Sequence, residues 1–218
     1  QHGTLTVSGP VTAGNQQTGG RGGALRVLTN GNFTSLDSTL GILLCRNNRA
    51  NANNVASATF TGGLSTVEKF TLGFDSAVTA GSATITVNGG TLYLGGGGIV
   101  KNGAAGLVTN LNFSSGTIGA KAAWSTAVPI NLPNGGNVTF KAANVAGEPF
   151  DISLDGVIGG AGGFTKTGAG ALSLSAANTF SGSLNLLEGT LRVSGTLAAG
   201  GSLTLSGGRL SGTGNINK

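Results

Sequence analysis

The chain has 218 residues, of which 42 are glycine and only 19 are charged, 12 basic and 7 acidic. A charged fraction of 9% is far below the roughly 25% of an ordinary globular domain and argues against a charge-rich disordered tail. The single cysteine excludes an internal disulfide framework, and one histidine with one cysteine cannot supply a typical zinc site. The net charge of +5 comes from scattered cations, so we expect no nucleic-acid partner.

Short stretches of alternating apolar and polar residues, many of them threonine, recur along the chain. They lie at 4–7, 83–87, 137–140 and 202–205, and each is followed by a glycine-containing cluster. A period of two indicates a β-strand with one buried face, and glycine accommodates the tight turns that follow. No run of 18 apolar residues occurs, so no membrane insertion is expected. With aromatic residues at only 5%, we expect a narrow core of short side chains.

Pairs of apolar residues near the C-terminal end repeat at a fixed spacing. The pairs begin at Leu172, Leu184, Leu191 and Leu203, and Leu210 continues the series, in alternating steps of 12 and 7 residues. One strand, a tight glycine turn, a second strand and a longer turn therefore make a unit of 19 residues. We predict an all-β fold, a single-stranded parallel β-helix (β-solenoid) with coils of about 19 residues. A β-sandwich is the alternative, but its spacing is normally less regular and its core more aromatic.

One continuous β-solenoid is predicted over residues 1–218, with irregular loops near 46–55 and 121–135. Prolines interrupt the second loop, and Trp124 is interpreted as packing beneath it. The first loop is rich in asparagine, which suits turns. A protruding turn, a ligand-contacting loop and asparagines stacked inside the solenoid are three open interpretations. The possible contact loop comprises Arg46, Asn47, Asn48, Arg49, Asn51, Asn53 and Asn54.

One segment, residues 163–195, contains a characteristic set of residues: Thr165, Lys166, Gly168, Gly170, Leu172, Leu174, Asn178, Thr179, Ser181, Gly182, Gly189, Thr190 and Leu191. In these residues the segment closely resembles the autotransporter-associated β-strand repeat, also called the passenger-associated transport repeat. The chain departs from the usual pattern at Phe164, Ala176 and Phe180, where the family commonly has Leu, Gly and Tyr. All three residues keep the apolar or small character of the position.

The resemblance implies a right-handed parallel β-helix within a large bacterial surface or secreted protein. By this resemblance the repeat is expected to serve as a scaffold and to contribute no catalytic residue, metal ligand or cofactor. Glycines of the motif are predicted to form the corners of the coil, and leucines are predicted to fill its interior. These core and turn positions are Gly168, Gly170, Leu172, Leu174, Gly182, Leu186, Gly189 and Leu191.

Parallel β-helices also carry polysaccharide-cleaving sites, which need clustered carboxylates. The nearest approach to such a cluster is Glu148, Asp151 and Asp155. In a regular strand the two aspartates lie about 13 Å apart at about 3.3 Å per residue, which is too far for a catalytic pair. We therefore assign no catalytic, cofactor or metal residues and expect no enzyme activity. The single cysteine, Cys45, follows an apolar run and is predicted to be a small buried side chain.

A solenoid ends in open strand edges, and no capping helix is recognised at either end of the sequence. Two expectations follow: the chain is part of a longer one, or its ends meet head to tail in neighbouring copies and build a fibre. The strands assigned to such end-to-end assembly contain Leu5, Val7, Leu203, Leu205 and Leu210.

These observations favour a structural protein of the extracellular space or the bacterial outer cell surface. Its β-helical passenger scaffold would stack end to end with further copies of itself or with adjoining segments of a longer chain. The alternative is an adhesin whose surface loops bind host-cell, surface or polysaccharide ligands. A carbohydrate-active β-helix enzyme is the third and weakest hypothesis.

Overall fold

The computed structural model describes residues 4–13, 23–28, 31–46, 54–198 and 200–218. Within these ranges every regular element is a β-strand, and no helix long and apolar enough to cross a bilayer is found there. The strands are β1 (Thr4–Val7), β2 (Val11–Ala13), β3 (Gly23–Val27), β4 (Asn32–Ser35), β5 (Ile42–Leu44), β6 (Val55–Phe60), β7 (Leu64–Leu72), β8 (Ser82–Lys101), β9 (Val108–Ala120), β10 (Trp124–Thr126), β11 (Ile130–Asn131), β12 (Asn137–Lys141), β13 (Ile152–Leu154), β14 (Ile158–Gly159), β15 (Gly163–Thr167), β16 (Ala171–Leu174), β17 (Ala177–Asn178), β18 (Leu184–Leu186), β19 (Thr190–Val193), β20 (Thr196–Leu197), β21 (Leu203–Leu205), β22 (Arg209–Ser211) and β23 (Asn215–Ile216).

The strands stack in parallel, each on the equivalent strand of the preceding coil. The largest sheet has 15 strands and contains the path β1-β4-β7-β8-β9-β12-β15-β18-β21. A second sheet runs β10-β13-β16-β19-β22, and a third runs β17-β20-β23. Parallel pairing of strands that are one coil apart is the defining topology of a β-solenoid. The predicted all-β parallel β-helix is therefore confirmed.

The 19-residue period applies to the C-terminal coils, where Leu172 pairs with Leu191 and Leu191 with Leu210. Upstream coils are longer, because Ile85 and Leu111 are 26 residues apart and Leu25 and Ala58 are 33 apart. The strands stay paired in parallel across these coils although the coil length varies. A period taken from the most regular coils therefore underestimates the length of the others.

The core is more aromatic than the composition suggests. Seven of the nine phenylalanines are buried, and four of them follow one another along the solenoid axis. Ring centroids are 6.4 Å apart for Phe113 and Phe140, 5.4 Å for Phe140 and Phe164, and 5.3 Å for Phe164 and Phe180. Edge-to-face and tilted aromatic contacts of this kind stabilise a core beyond the area they bury. The expected narrow core of short side chains is therefore wrong along this column.

The stretch 121–135, which was predicted to be an irregular loop, contains the short strands β10 and β11. Trp124 begins β10 with 3% of its surface exposed, and its indole Nε1 donates a hydrogen bond to the carbonyl oxygen of Gly119 at 3.2 Å. Thr126 in the same strand donates its hydroxyl to the carbonyl of Ile99 at 2.9 Å. The prolines of this stretch lie in the turns between the strands, where no ladder hydrogen bond is needed.

Candidate functional site

The leucines of the repeat lie inside the solenoid. Leu172, Leu174, Leu186 and Leu191 have no exposed surface, and the paired register stacks each of them on an apolar residue of a neighbouring coil. Polar residues alternate with them and face outward, as does Ser173 between Leu172 and Leu174. Leucine thus fills the interior of the coil at these positions.

The four glycines of the motif meet two different requirements. Gly168 and Gly189 adopt left-handed backbone with φ of 76° and 70°, which glycine reaches without strain. Gly170 and Gly182 have no such φ, but neighbouring backbone crowds them. A Cβ on Gly170 would lie 2.5 Å from the carbonyl oxygen of Phe150, and one on Gly182 would lie 2.3 Å from the carbonyl carbon of Gly162. Close stacking of coils therefore excludes a side chain at these two positions.

A fully buried lysine closes one corner of the repeat. The Nζ atom of Lys166 donates hydrogen bonds to the carbonyl oxygens of Thr167 at 2.8 Å, Gly168 at 2.6 Å and Glu188 at 3.0 Å. We call these three oxygens the carbonyl cage. The side chain of Glu188 reinforces it, because its Oε2 accepts a hydrogen bond from the backbone N–H of Gly168 at 2.9 Å. Lys166 and Glu188 thus join two successive coils at the corner.

The burial of Lys166 was missed by sequence reasoning, although the strand pattern contained a signal for it. Lys166 follows the buried Phe164 by two residues in β15, so both side chains lie on the same face of the strand. The register partners of Lys166 in the neighbouring coils are Phe140 and Leu186. A lysine in an apolar column is rare unless its charge is compensated, which the cage does. The position of Lys166 in the strand therefore predicts a buried side chain, whereas its residue type predicts an exposed one.

A second residue missed by sequence reasoning is Asn178, which is 1% exposed. Its Oδ1 accepts a hydrogen bond from the backbone N–H of Ile158 at 2.9 Å, and its Nδ2 donates to the carbonyl of Ala176 at 2.9 Å. The amide therefore satisfies backbone groups of two successive coils where the chain turns. Asn178 and Lys166 are both polar motif residues, and both are used to join coils.

Burial makes the stability of the corner dependent on pH. Loss of hydration lowers the pKa of Lys166 from 10.5 to about 8, although the carboxylates of Glu188 and Asp151 act in the opposite direction. Between these two values the unfolded chain binds a proton that the folded chain has released. We therefore expect the free energy of unfolding to rise from about pH 8 to about pH 10.5, measured by urea denaturation at a series of pH values.

The control for this prediction is Lys166→Met, which removes the titrating group. Burial raises the pKa of the Cys45 thiol from 9.0 to about 11, so stability that depends on this thiol falls above pH 9 and opposes the rise. Because both proteins contain Cys45, the difference between them isolates Lys166. Parallel pH profiles for the two proteins would contradict the prediction.

The three acidic residues considered for catalysis have separate partners. Glu148 accepts a hydrogen bond from Asn144, Asp151 accepts one from the backbone of Ala171, and Asp155 accepts one from the hydroxyl of Ser175. Asp151 and Asp155 stand at opposite ends of strand β13. Across the described ranges, no three His, Cys, Asp or Glu residues come together in a way that could hold a metal ion.

Most of the possible contact loop lies outside the described residues, namely 47–53 with Asn47, Asn48, Arg49, Asn51 and Asn53. Its two flanking residues are described. Arg46 is exposed, and its guanidinium carbon lies 5.7 Å from the ring centroid of Phe74. Asn54 is buried, and its carbonyl oxygen accepts hydrogen bonds from the backbone N–H of Ser82 and the thiol of Cys45.

Cys45 lies in the core at the start of that loop. It has no exposed surface and adopts φ of 63°, and its Sγ lies 3.2 Å from the carbonyl oxygen of Ser82. Desolvation keeps the thiol protonated at neutral pH, which makes it a poor nucleophile. Its position agrees with a small buried side chain.

The strands assigned to end-to-end assembly lie in the outermost coils of the described structure. Leu5 is 59% exposed and Leu205 is 52% exposed, whereas Val7, Leu203 and Leu210 are partly buried against the core. Leu205 is the register partner of the buried Leu186, so it continues an interior column. The apolar columns of the solenoid thus reach both outermost coils.

The family described as Passenger-associated-transport-repeat matches residues 164–193, which include Lys166, Asn178 and the corner glycines. This chain carries an autotransporter passenger repeat. Outside the passenger repeat the similarity continues: the chain is 31% identical over 153 residues to a protein named Adhesin BmaC autotransporter from Brucella suis biovar 1 (strain 1330). That alignment covers 63% of this chain and 4% of the much longer adhesin. No solved structure is significantly similar to the chain.

Proposed function

We propose that this chain is a structural, non-catalytic part of a bacterial surface protein, in which the β-helix carries adhesive surface outside the cell. The proposal is based on the contacts that the polar side chains of the repeat make. Lys166, Glu188 and Asn178 all bind backbone groups of neighbouring coils, and this use is typical of a scaffold. The similarity to an autotransporter adhesin supports both the adhesive role and an extracellular or outer-surface location.

Surface display tests the proposal directly. The chain would be displayed on a non-adherent bacterium, with the carrier alone as control, and attachment to host cells and to immobilised extracellular polysaccharides would be counted. We expect attachment above that of the carrier and no release of new reducing ends from the polysaccharides. A displayed and protease-resistant chain that gives no attachment, or that depolymerises a polysaccharide, would overturn the proposal.

We also propose that further β-structure covers the outermost coils, supplied by adjoining segments of a longer chain or by head-to-tail copies of this one. The exposure of Leu5 and Leu205 supports this proposal, because open strands with apolar side chains favour pairing. Electron microscopy of the purified chain over a concentration series distinguishes the two partners. Filaments that form with the unchanged chain and are lost in Leu205→Lys indicate head-to-tail copies. Isolated rods about 40 Å long, the length of nine strands stacked at about 4.8 Å, exclude such copies.

A further inference from the structure

A trough of about 360 Å³ crosses three successive coils on the outer side of the large sheet, and nothing described above uses it. This volume is at the lower end of the range of about 300–1,000 Å³ found for small-molecule sites. The lining side chains come from β12 and β18 and from the turns that precede β12, β15 and β18, and glycines complete the lining. We call it the asparagine trough; these side chains belong to Asn134, Asn137, Ala161, Ser183 and Asn185.

The walls of the trough are held by backbone hydrogen bonds. In the turn that begins at Pro133, the N–H of Gly136 donates to the carbonyl of Pro133 at 2.9 Å. The carbonyl of Gly136 accepts a hydrogen bond from the N–H of Gly163 in the next coil at 2.9 Å. On the opposite side, the carbonyl of Ser183 accepts one from the N–H of Phe164 at 3.0 Å. Walls that are ordered before binding add little entropic cost when a ligand enters.

Most hydrogen-bonding groups of the lining are available to a ligand. Asn134 is exposed and Asn185 is half-buried, and within the described ranges neither side-chain amide bonds to another group of the chain. Each amide therefore offers two N–H donors and one carbonyl acceptor. The Oδ1 atom of Asn137 accepts a hydrogen bond from the hydroxyl of Thr165 at 3.5 Å, which leaves the amide N–H groups of Asn137 free. Three amides of one trough can thus both donate and accept.

The lining favours an uncharged ligand. Among the residues that the structure describes, those that line the trough carry no charge, and Ala161 supplies their one apolar side chain. Lys218 is the one charged side chain in the described ranges that hydrogen-bonds to a lining residue, since its Nζ donates to the carbonyl of Gly182 at 3.0 Å. The same ammonium lies 3.9 Å from the ring centroid of the fully buried Phe180, so its charge is held against the core.

Asn185 also belongs to a longer outward row of uncharged residues, which we call the threonine row. Its members are successive register partners and are all at least partly exposed. Strands lie about 4.8 Å apart, so the six residues extend over about 24 Å. A row of this length presents hydroxyl groups to several units of a linear polymer. The row consists of Thr91, Thr117, Thr139, Thr165, Asn185 and Thr204.

We propose that the asparagine trough binds a neutral sugar residue of an extracellular glycan, and that the threonine row contacts further sugars of the same glycan. The amides of Asn134, Asn137 and Asn185 donate to and accept from the sugar hydroxyls, which have the same double capacity. An extended peptide would need an open strand edge, but β12, β15 and β18 are each paired on both sides. This inference rests on the proposed adhesive function and names the ligand class for it.

Binding of the purified chain to defined glycans tests the inference. The neutral probes are dextran, mannan, galactan, a soluble chitin oligosaccharide and a desialylated host glycoprotein, with polyglucuronate as the charged comparison, all measured by biolayer interferometry. We expect at least one neutral probe to bind more tightly than polyglucuronate. We expect its affinity to be independent of added salt, because the contacts involve no ion pair. Failure of every neutral probe to bind, or tighter binding of polyglucuronate, would overturn the inference.

The host glycoprotein distinguishes the two sources of a neutral sugar. Binding to it and not to the polysaccharides indicates a host glycan, and the reverse result indicates a polysaccharide. Enzymatic removal of its glycans should abolish the binding. Binding that survives this treatment would instead indicate a protein partner and overturn the inference.

The variants Asn185→Ala and Ala161→Leu locate the binding. The first removes an unbonded amide, and the second places a larger side chain in the trough without removing a polar group. We expect Asn185→Ala to weaken binding several-fold and Ala161→Leu at least tenfold. Asn110→Ala removes an exposed amide from a different outward row and should change affinity less than twofold. Thermal unfolding of each variant verifies its folding. Equal losses in Asn185→Ala and Asn110→Ala, or unchanged affinity in Ala161→Leu, would overturn the inference.

The display assay separates the two proposals. If bacteria that display Ala161→Leu attach as strongly as those displaying the unchanged chain, the trough fails while the adhesive function stands. If the unchanged chain gives no attachment, the adhesive function fails whatever the purified chain binds.

Discussion

Leu174→Asp is expected to abolish cooperative folding of the chain. Leu174 is fully buried and is paired with Leu154 in the preceding coil and Val193 in the next, which are also buried. Loss of the leucine side chain costs about 2–5 kcal/mol, and an unpaired carboxylate in this interior costs several more. Their sum approaches the whole stability of about 5–15 kcal/mol that a domain normally has. Circular dichroism with urea denaturation measures the loss.

Ser173→Asp is the matched control, because Ser173 is the adjacent residue of the same strand and points outward. Its neighbours in the ladder are Ser153 and Arg192, so a carboxylate there remains solvated next to a cation. We expect its midpoint of unfolding to stay close to that of the unchanged chain. A Leu174→Asp protein that unfolds at the same urea concentration as Ser173→Asp would show that Leu174 does not face the core.

Gly189→Val is expected to give the second largest loss of stability, about 3 kcal/mol or more. The left-handed φ of 70° alone costs a β-branched residue on the order of 1–3 kcal/mol. The new Cβ would also lie 2.3 Å from the carbonyl oxygen of Gly168 and 2.8 Å from Nζ of Lys166. Relief of these contacts requires the corner to open and the carbonyl cage to lose its hydrogen bonds. The shift in the thermal unfolding midpoint measures the effect.

Gly135→Val separates backbone strain from crowding. Gly135 has a similar φ of 74°, but a Cβ there would meet no atom within 4 Å. We expect this variant to lose about 1–2 kcal/mol, the cost of the left-handed conformation alone. If Gly189→Val and Gly135→Val lower the midpoint equally, the cage does not contribute to the stability of the corner.

Local pattern was sufficient to predict the fold class and much of the repeat. In Ala171–Leu174 and Leu184–Leu186, buried and outward-facing residues alternate because successive side chains of a strand lie on opposite faces. This pattern can be recognised within a single strand. The spacing from Leu172 to Leu191 equals one coil, because the turns there have constant length. Where the number of residues per coil changes, as between Leu25 and Ala58, no constant spacing exists and the coil could not be recognised.

The candidate sites depended much more on contacts between distant residues. The contact-loop hypothesis was built on composition, and 47–53 lie outside the described residues, so it stays a prediction. The outward row of Thr66, Tyr93, Gly119 and Lys141 was not predicted at all, since its successive members lie 27, 26 and 22 residues apart in the sequence. No motif records such a row, because the residues between its members vary in number from coil to coil.

The sequence by itself determined that this chain is a parallel β-helix, because strand alternation, glycine turns and the 19-residue spacing are local properties. The passenger-associated transport repeat was recognised separately, by the resemblance of residues 163–195 to that motif. Only the tertiary structure decided what the polar residues do. Lys166 reads as a surface residue by type, yet stacking of two coils surrounds its ammonium with three carbonyls. Lys141, equally a lysine on a strand, stands on the outer face beside Tyr93. Residue type sets the charge of these lysines, and only the packing of neighbouring coils sets whether that charge faces the core or the outer surface.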